Sequence, residues 1–146
     1  MIYYYSQGID FKPKFTTKIN KWIKTVAKSH GYSRLSLNFI FCSDAELLEI
    51  NKQFLGHDYF TDIITFDTLD DQYIKKNSLS GDIFISVDTV RINSETYNSS
   101  FEKELLRVMI HGVLHLIGYD DHSLEDETEI HQQEDSALEL YYGKKI

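Results

Sequence analysis

The sequence predicts an α+β domain in which a small mixed sheet is covered by helices. Short β-prone runs and helical runs follow one another unevenly, without the strict alternation of a parallel βαβ array. A chain of 146 residues buries most of one hydrophobic core and does not divide into two ordinary domains, so residues 1–146 are expected to form one. The third observation is a long helical run, residues 101–117, that is apolar over most of its circumference and therefore belongs at the centre of the fold.

The elements follow in order. "MIYYYS" is aromatic and β-prone, the first strand. Phe15, Ile19, Trp22, Ile23 and Ala27 then recur at helical spacing over residues 15–29, with Pro13 just ahead and Gly31 as a stop. "RLSLNFIFC" alternates at Leu35, Leu37 and Phe39 before becoming wholly apolar, as a central strand does. In "SDAELLEINKQFL", Ser43 followed by Glu46 three positions on is a capping-box pattern, and a second helix is expected. "TDIITFD" and "GDIFISV" read as strands flanking the polar loop "TLDDQYIKKNSLS". "VDTVRINSETYN" is a modest helix. The central helix of residues 101–117 ends at Gly118, and "EDETEIHQQEDSALELYYG" is a final, polar-faced helix stopped near Gly143. There is no internal repeat or low-complexity linker.

Composition excludes several functions. No apolar run approaches the roughly 18 residues of a membrane span, and no export signal is visible in "MIYYYSQG", so a soluble chain in the cytosol is expected. The net charge of −8 argues against a general polyanion binder, whose affinity comes from many cationic contacts to phosphate. Lys18, Lys21, Lys24 and Lys28 would form a stripe on the first helix, read here as a solvated face before a nucleic-acid surface. Lone Cys42, in an apolar run, reads as a buried, inert thiol.

Chemistry concentrates in "RVMIHGVLHLIGYDDHS". Helical residues four apart share a face, so His111 and His115 offer two imidazoles to one point, and Gly118 turns the chain back so that a third ligand can follow. A metal site on the central helix is therefore expected. In the peptidase pattern H-E-x-x-H-x-x-G-x-x-H the third ligand lies ten positions after the first, which here is Asp121, with His122 one step late. Asp121 is preferred over His122 as third ligand because Gly118 stands at the matching spacing. Asp120 or His122 could instead orient a ligand by hydrogen bond. Three protein ligands leave a position open, and the donor types favour one zinc ion (Zn2+). The peptidase general base, a Glu after the first His, is Gly112 here, which argues against a zinc peptidase.

The stretch "HGVLHLIGYDDH" resembles the H-G-x-L-H-L-x-G-Y-D-H signature of the YbeY-type endoribonucleases, bacterial rRNA maturation factors. "LEINKQFLGHDYFTDIITFD" is similar to that family's L-N-x-x-Y-R…T-D-V-L-S-F segment, and "SGDIFIS" to its L-G-D-I-x-I-S strand, in the same order along residues 45 to 135. The resemblance implies an α+β fold, a bound zinc, and single-strand-specific endonuclease activity. It also implies maturation of the 3′ end of 16S rRNA, ribosome quality control, ribosomal RNA and the small ribosomal subunit as partners, and neither membrane nor DNA. The family's third histidine aligns with Asp121 when "EDETEIHQQE" is matched without a gap. Its arginine falls on Leu55, so His57 or a lysine elsewhere would have to meet phosphate. Thr61 and Asp62 keep its T-D pair; they either join a substrate-binding site or merely cap a turn and start a strand.

Metal-assisted phosphodiester hydrolysis is the leading expectation, with Asp62, Glu104 and Asp120 as candidate bases and none assigned. The competing readings are a metal hydrolase of peptides or small esters, against which Gly112 counts, a noncatalytic ribosome-associated factor whose zinc pins the last helix, and a chain with no metal.

Overall fold

A four-stranded mixed sheet and five helices make up the computed structural model, which describes residues 1–68 and 77–144. The expected polar loop between the last two strands lies largely outside the described residues. Along the chain, β1 (Ile2–Gln7) leads to α1 (Thr16–Ser29), β2 (Arg34–Cys42), α2 (Asp44–Leu55), β3 (Ile63–Asp67) and β4 (Ser78–Ser86). Three helices close it, α3 (Val87–Thr96), α4 (Phe101–Ile117) and α5 (Leu124–Tyr142).

The strand order is β1-β2-β4-β3. β1, β2 and β4 run parallel and β3 is antiparallel to β4, with Leu37 opposite Gly81 and Ile64 opposite Phe84. β2 is central, as its apolar run predicts, and Leu37, Phe39 and Phe41 on one of its faces are buried. β4 begins three residues earlier than expected. Ser78, Leu79 and Ser80 pair with Arg34, Leu35 and Ser36, and Leu79 is buried, so ladder bonds and one apolar anchor draw a polar-looking stretch into the sheet.

One face of the sheet packs on α1, α4 and α5 through Ile23, Phe39, Ile83, Met109 and Leu138. The smaller cluster on the other face gathers Cys42, Leu47, Ile50 and Ile64. Burial there pushes the Cys42 thiol up to about 11, with Glu46 adding to it, which keeps the sulfur protonated and inert at neutral pH. Ser43, Ser86, Ser100 and Ser123 cap α2 to α5, each accepting from a backbone N–H three residues on. The Asp44 carboxylate accepts from Ser86 Oγ and, at 2.6 Å, from Thr89 Oγ1, which ties the starts of α2 and α3 together.

α4 lies unusually close to the sheet, and two glycines permit it. A Cβ on Gly112 would sit 2.8 Å from Ile83 Cγ2 and 2.9 Å from Ile63 Cδ1, and one on Gly81 would sit 2.6 Å from Leu116 Cδ1. Gly112 therefore faces β3 and β4, and the face that carries His111 and His115 points away from the core interior.

Candidate metal centre

His111 and His115 stand one turn apart near the end of α4, with ring centroids 4.5 Å apart. Past them Gly118 adopts φ 130°, a conformation that side-chain-bearing residues rarely adopt, and its N–H bonds the Leu114 and His115 carbonyls. The returning chain is held from outside as well: the Tyr119 hydroxyl lies 3.0 Å from His30 Nε2 at the end of α1. Turn and tether together bring the Asp121 carboxylate back over the helix. Its Oδ2 lies 3.5 Å from His115 Nε2 and 4.0 Å from His111 Nε2.

These donors suit a divalent ion. Ligand atoms about 2.1 Å from a tetrahedral centre are roughly 3.4 Å apart, and one atom from each of His111, His115 and Asp121 lies within 4.8 Å of the others. His122 does not join them: its side chain is 80% exposed and its Nε2 pairs with Asp120 Oδ1 at 2.8 Å. Asp120, Asp121 and His122 form a second, wholly exposed group of donors.

Behind His111 is a buried carboxylate. Glu134 of α5 is 1% exposed, and its Oε2 lies 2.7 Å from His111 Nδ1. An ionised carboxylate only accepts, so Nδ1 carries the proton and Nε2 keeps its lone pair toward Asp121. Arg107 Nη1 and His131 Nδ1 reach Glu134 Oε1 at 3.2 and 3.3 Å, and Arg107 Nη2 binds Asp135 at 2.8 Å. Burial alone would raise the Glu134 carboxyl. The hydrogen bond and charge of His111, with His131 and Arg107, outweigh it and hold the group below the ordinary carboxylate range. Burial would lower His111, but Glu134, Asp62 and Asp121 keep its imidazole above its usual value.

A cleft of about 550 Å³ opens beside His111, lined by Asp62, Lys103, Glu104, Arg107 and Glu134 among others. Burial raises both Asp62 and Glu104. The Glu134 and Asp121 charges raise Asp62 further against His111, and Asp62 and Glu134 raise Glu104 against Arg107. Such a concentration of carboxylates favours a bound cation. Lys103 is the one cation of this cleft with no ion-pair partner among the described residues.

Of the other expected site residues, Asp62 borders the cleft, whereas Thr61 donates from Oγ1 to the Ile63 carbonyl at 3.3 Å, a local bond at the start of β3. His57 stacks on Tyr59, on the exposed segment between α2 and β3, and Leu55 ends α2 with its side chain exposed. Glu104 lies in the cleft and Asp120 outside it. Sequence reasoning missed Glu134, Arg107 and the His30–Tyr119 tether. A signal for the first existed: Glu134 falls in the helical stripe Ile130, Glu134, Ala137, Leu138 and Tyr141, a charge on the buried face of α5. The tether joins residues 89 positions apart and leaves no local trace.

Residues 2–142 match the family model described as Endoribonuclease YbeY. Relatives bearing that name include those of Phocaeicola vulgatus, 45% identical over 96% of this chain and 98% of the relative, and Parabacteroides distasonis, 42% identical over 95% and 94%. The solution structure of TM1509 from Thermotoga maritima superposes with a TM-score of 0.66 at 28% identity, covering 98% of this chain and 90% of that one.

Proposed function

This chain belongs to the endoribonuclease YbeY family, and from that premise we propose that it is a zinc-dependent endoribonuclease that cleaves single-stranded RNA. One ion is held by His111, His115 and Asp121. We place its action in the maturation of the 3′ end of 16S rRNA and in ribosome quality control, with ribosomal RNA and the small ribosomal subunit as partners in the cytoplasm. The observation that carries the reading is the convergence of two imidazole nitrogens and one carboxylate oxygen, with Glu134 fixed behind His111, which itself lines an acidic cleft. No helix among the described residues is long and apolar enough to cross a membrane.

When bound, the ion supplies Lewis acidity to the scissile phosphate or to an attacking water. The chain's own groups do the rest. Glu134 holds His111 in one tautomer and one orientation. Asp62, which burial makes a stronger proton acceptor than an ordinary aspartate, is the base we favour, with Glu104 beside it in the same cleft. Lys103, rather than residue 55, offers the cation for a phosphate oxygen on the cleft wall. Gly112, turned into the sheet, leaves no place for a peptidase base.

Elemental analysis beside cleavage of a single-stranded rRNA fragment tests this. Zinc and cleavage are expected to be lost together in His111→Ala and Asp121→Ala, and zinc to be retained in His122→Ala. Cleavage by chelator-treated protein at the zinc-loaded rate would sink the mechanism. Leu55 favours one other reading, a zinc-stabilised factor without catalysis, which predicts co-sedimentation with small subunits and no cleavage by any zinc-loaded preparation.

A further inference from the structure

Between α2 and β3 the surface changes character. Phe54, Leu55, Tyr59 and Phe60 are all exposed within seven residues, and no cation lies among them. Residues 56–62 form a loop that belongs to no helix or strand. Here it is held in place around one buried residue, Asn51, whose carbonyl accepts from His57 N–H at 3.1 Å and whose Nδ2 donates to the Tyr59 carbonyl at 2.9 Å. Lys52 adds an ion pair to Asp58 at 3.4 Å. Within that frame the His57 and Tyr59 rings lie nearly parallel, 18° apart with centroids at 5.1 Å, and the Tyr59 hydroxyl sits 2.9 Å from His57 Nδ1. Tyr59 is covered by His57 on one side yet stays 56% exposed.

We infer that the His57–Tyr59 pair is a stacking platform for an unpaired base of the RNA that enters the Asp62 cleft. The inference rests on the RNA-cleaving role proposed above and names how the substrate is held. Two residues, Phe60 and Thr61, separate Tyr59 from Asp62, which puts their Cα atoms at most about 11 Å apart, so a base on Tyr59 and a phosphate in the cleft can belong to neighbouring nucleotides. Charge points the same way. A net charge of −8 argues against affinity gathered from many cationic contacts, whereas a ring face can stack on any base. Pre-ordering is the other half of the argument: two rings already stacked, bonded to each other and clamped at the backbone lose little further freedom when a base arrives. Unpaired bases can be splayed onto such a surface and paired ones cannot, which is itself a preference for single strands.

The test uses the full zinc-loaded chain and a labelled single-stranded oligonucleotide with 2′-O-methyl, phosphorothioate linkages, read by fluorescence anisotropy beside the same oligomer made abasic at each position in turn. Tyr59→Ala is expected to weaken binding roughly 5- to 150-fold, the range for loss of one base–aromatic stack. His57→Ala should weaken it less, and Tyr59→Phe, which keeps the ring face but gives up the hydroxyl's bond to His57, should lose only a small part of what Tyr59→Ala loses. At one abasic position the difference between wild type and Tyr59→Ala should vanish. The platform is overturned if Tyr59→Ala binds as wild type does, if Tyr59→Phe loses as much as Tyr59→Ala, or if no abasic position removes the difference. It is equally overturned if Tyr59→Ala keeps its oligonucleotide affinity but no longer co-sediments with small subunits, since the surface then docks protein. Wild type that binds the oligomer through Tyr59 yet cleaves no RNA would support the platform and refute the proposed activity instead.

Discussion

Replacing Glu134 by glutamine is expected to weaken zinc binding about 5- to 30-fold while leaving the chain folded. The Glu134 carboxylate is 1% exposed and accepts from His111 Nδ1 at 2.7 Å, the length of a charge-assisted bond. Bonds of that kind contribute about 1.5–3 kcal/mol and neutral ones about 0.5–1.5. Glutamine can still offer an oxygen, so the change removes the difference, about 1–2 kcal/mol, from the orientation and basicity of the imidazole. That range lies at the low end of the 10- to 100-fold typical when the partner behind a metal-bound histidine is lost. Glu134→Ala should reach the upper part of it. It should also lower the melting temperature, because Arg107 loses one carboxylate. Asp135 keeps the other guanidinium nitrogen at 2.8 Å, so the loss should stay near 3 kcal/mol, the low end for breaking a buried pair. For a chain of this size that is roughly 6–12 °C. Competition against a chelator of known affinity measures the first effect and thermal unfolding the second. A folded Glu134→Gln that binds zinc as tightly as wild type would refute the assignment of Glu134 as the group that positions His111.

Two other perturbations have signs that follow from the geometry. Gly112→Glu, which writes a peptidase motif into α4, should unfold or severely destabilise the chain and yield no peptidase, because its Cβ alone would meet Ile83 and Ile63 and its charge would enter the core; a stable variant that cleaves a reporter peptide would contradict this. In metal-free protein, His111, held above its ordinary value, contributes stability that is fully present below about pH 6.5 and lost as pH rises through its folded value, whereas Glu134, held below its ordinary value, contributes stability present above about pH 4.3 and lost as pH falls through its folded value. Urea unfolding under chelator should therefore show a maximum between those limits that flattens in Glu134→Gln. Zinc-loaded protein should instead gain stability toward neutral pH, since its ligands must be deprotonated.

How much of this is legible without coordinates depends on how far apart the cooperating residues lie in the chain. Period and punctuation are local, so the helices of residues 15–29 and 101–117, the capping serine at 43, the central strand and the glycine stop at 118 can all be read directly. The pairing of His111 with His115 is equally local, because four residues of helix place two side chains on one face. Asp121 could be preferred over His122 from spacing alone, since a glycine turn limits where the next residues pass, and the structure brings Asp121 to both imidazoles while His122 turns to Asp120.

Tertiary structure decided what rests on contacts between distant segments. Ser78 to Ser80 look like loop until β2 supplies the hydrogen bonds that make them strand. Gly112 looks like a missing catalytic residue, and in the fold it is the point where α4 touches the sheet. Glu134 reaches His111 across 23 positions and His30 reaches Tyr119 across 89, and no pattern confined to one helix or turn records either meeting. By itself the sequence determined where most elements lie and that His111 and His115 share one helix face, because each depends on backbone geometry within a few residues. The acidic cleft and the groups that hold the donors in place required the folded chain, because burial and opposed charge act through space.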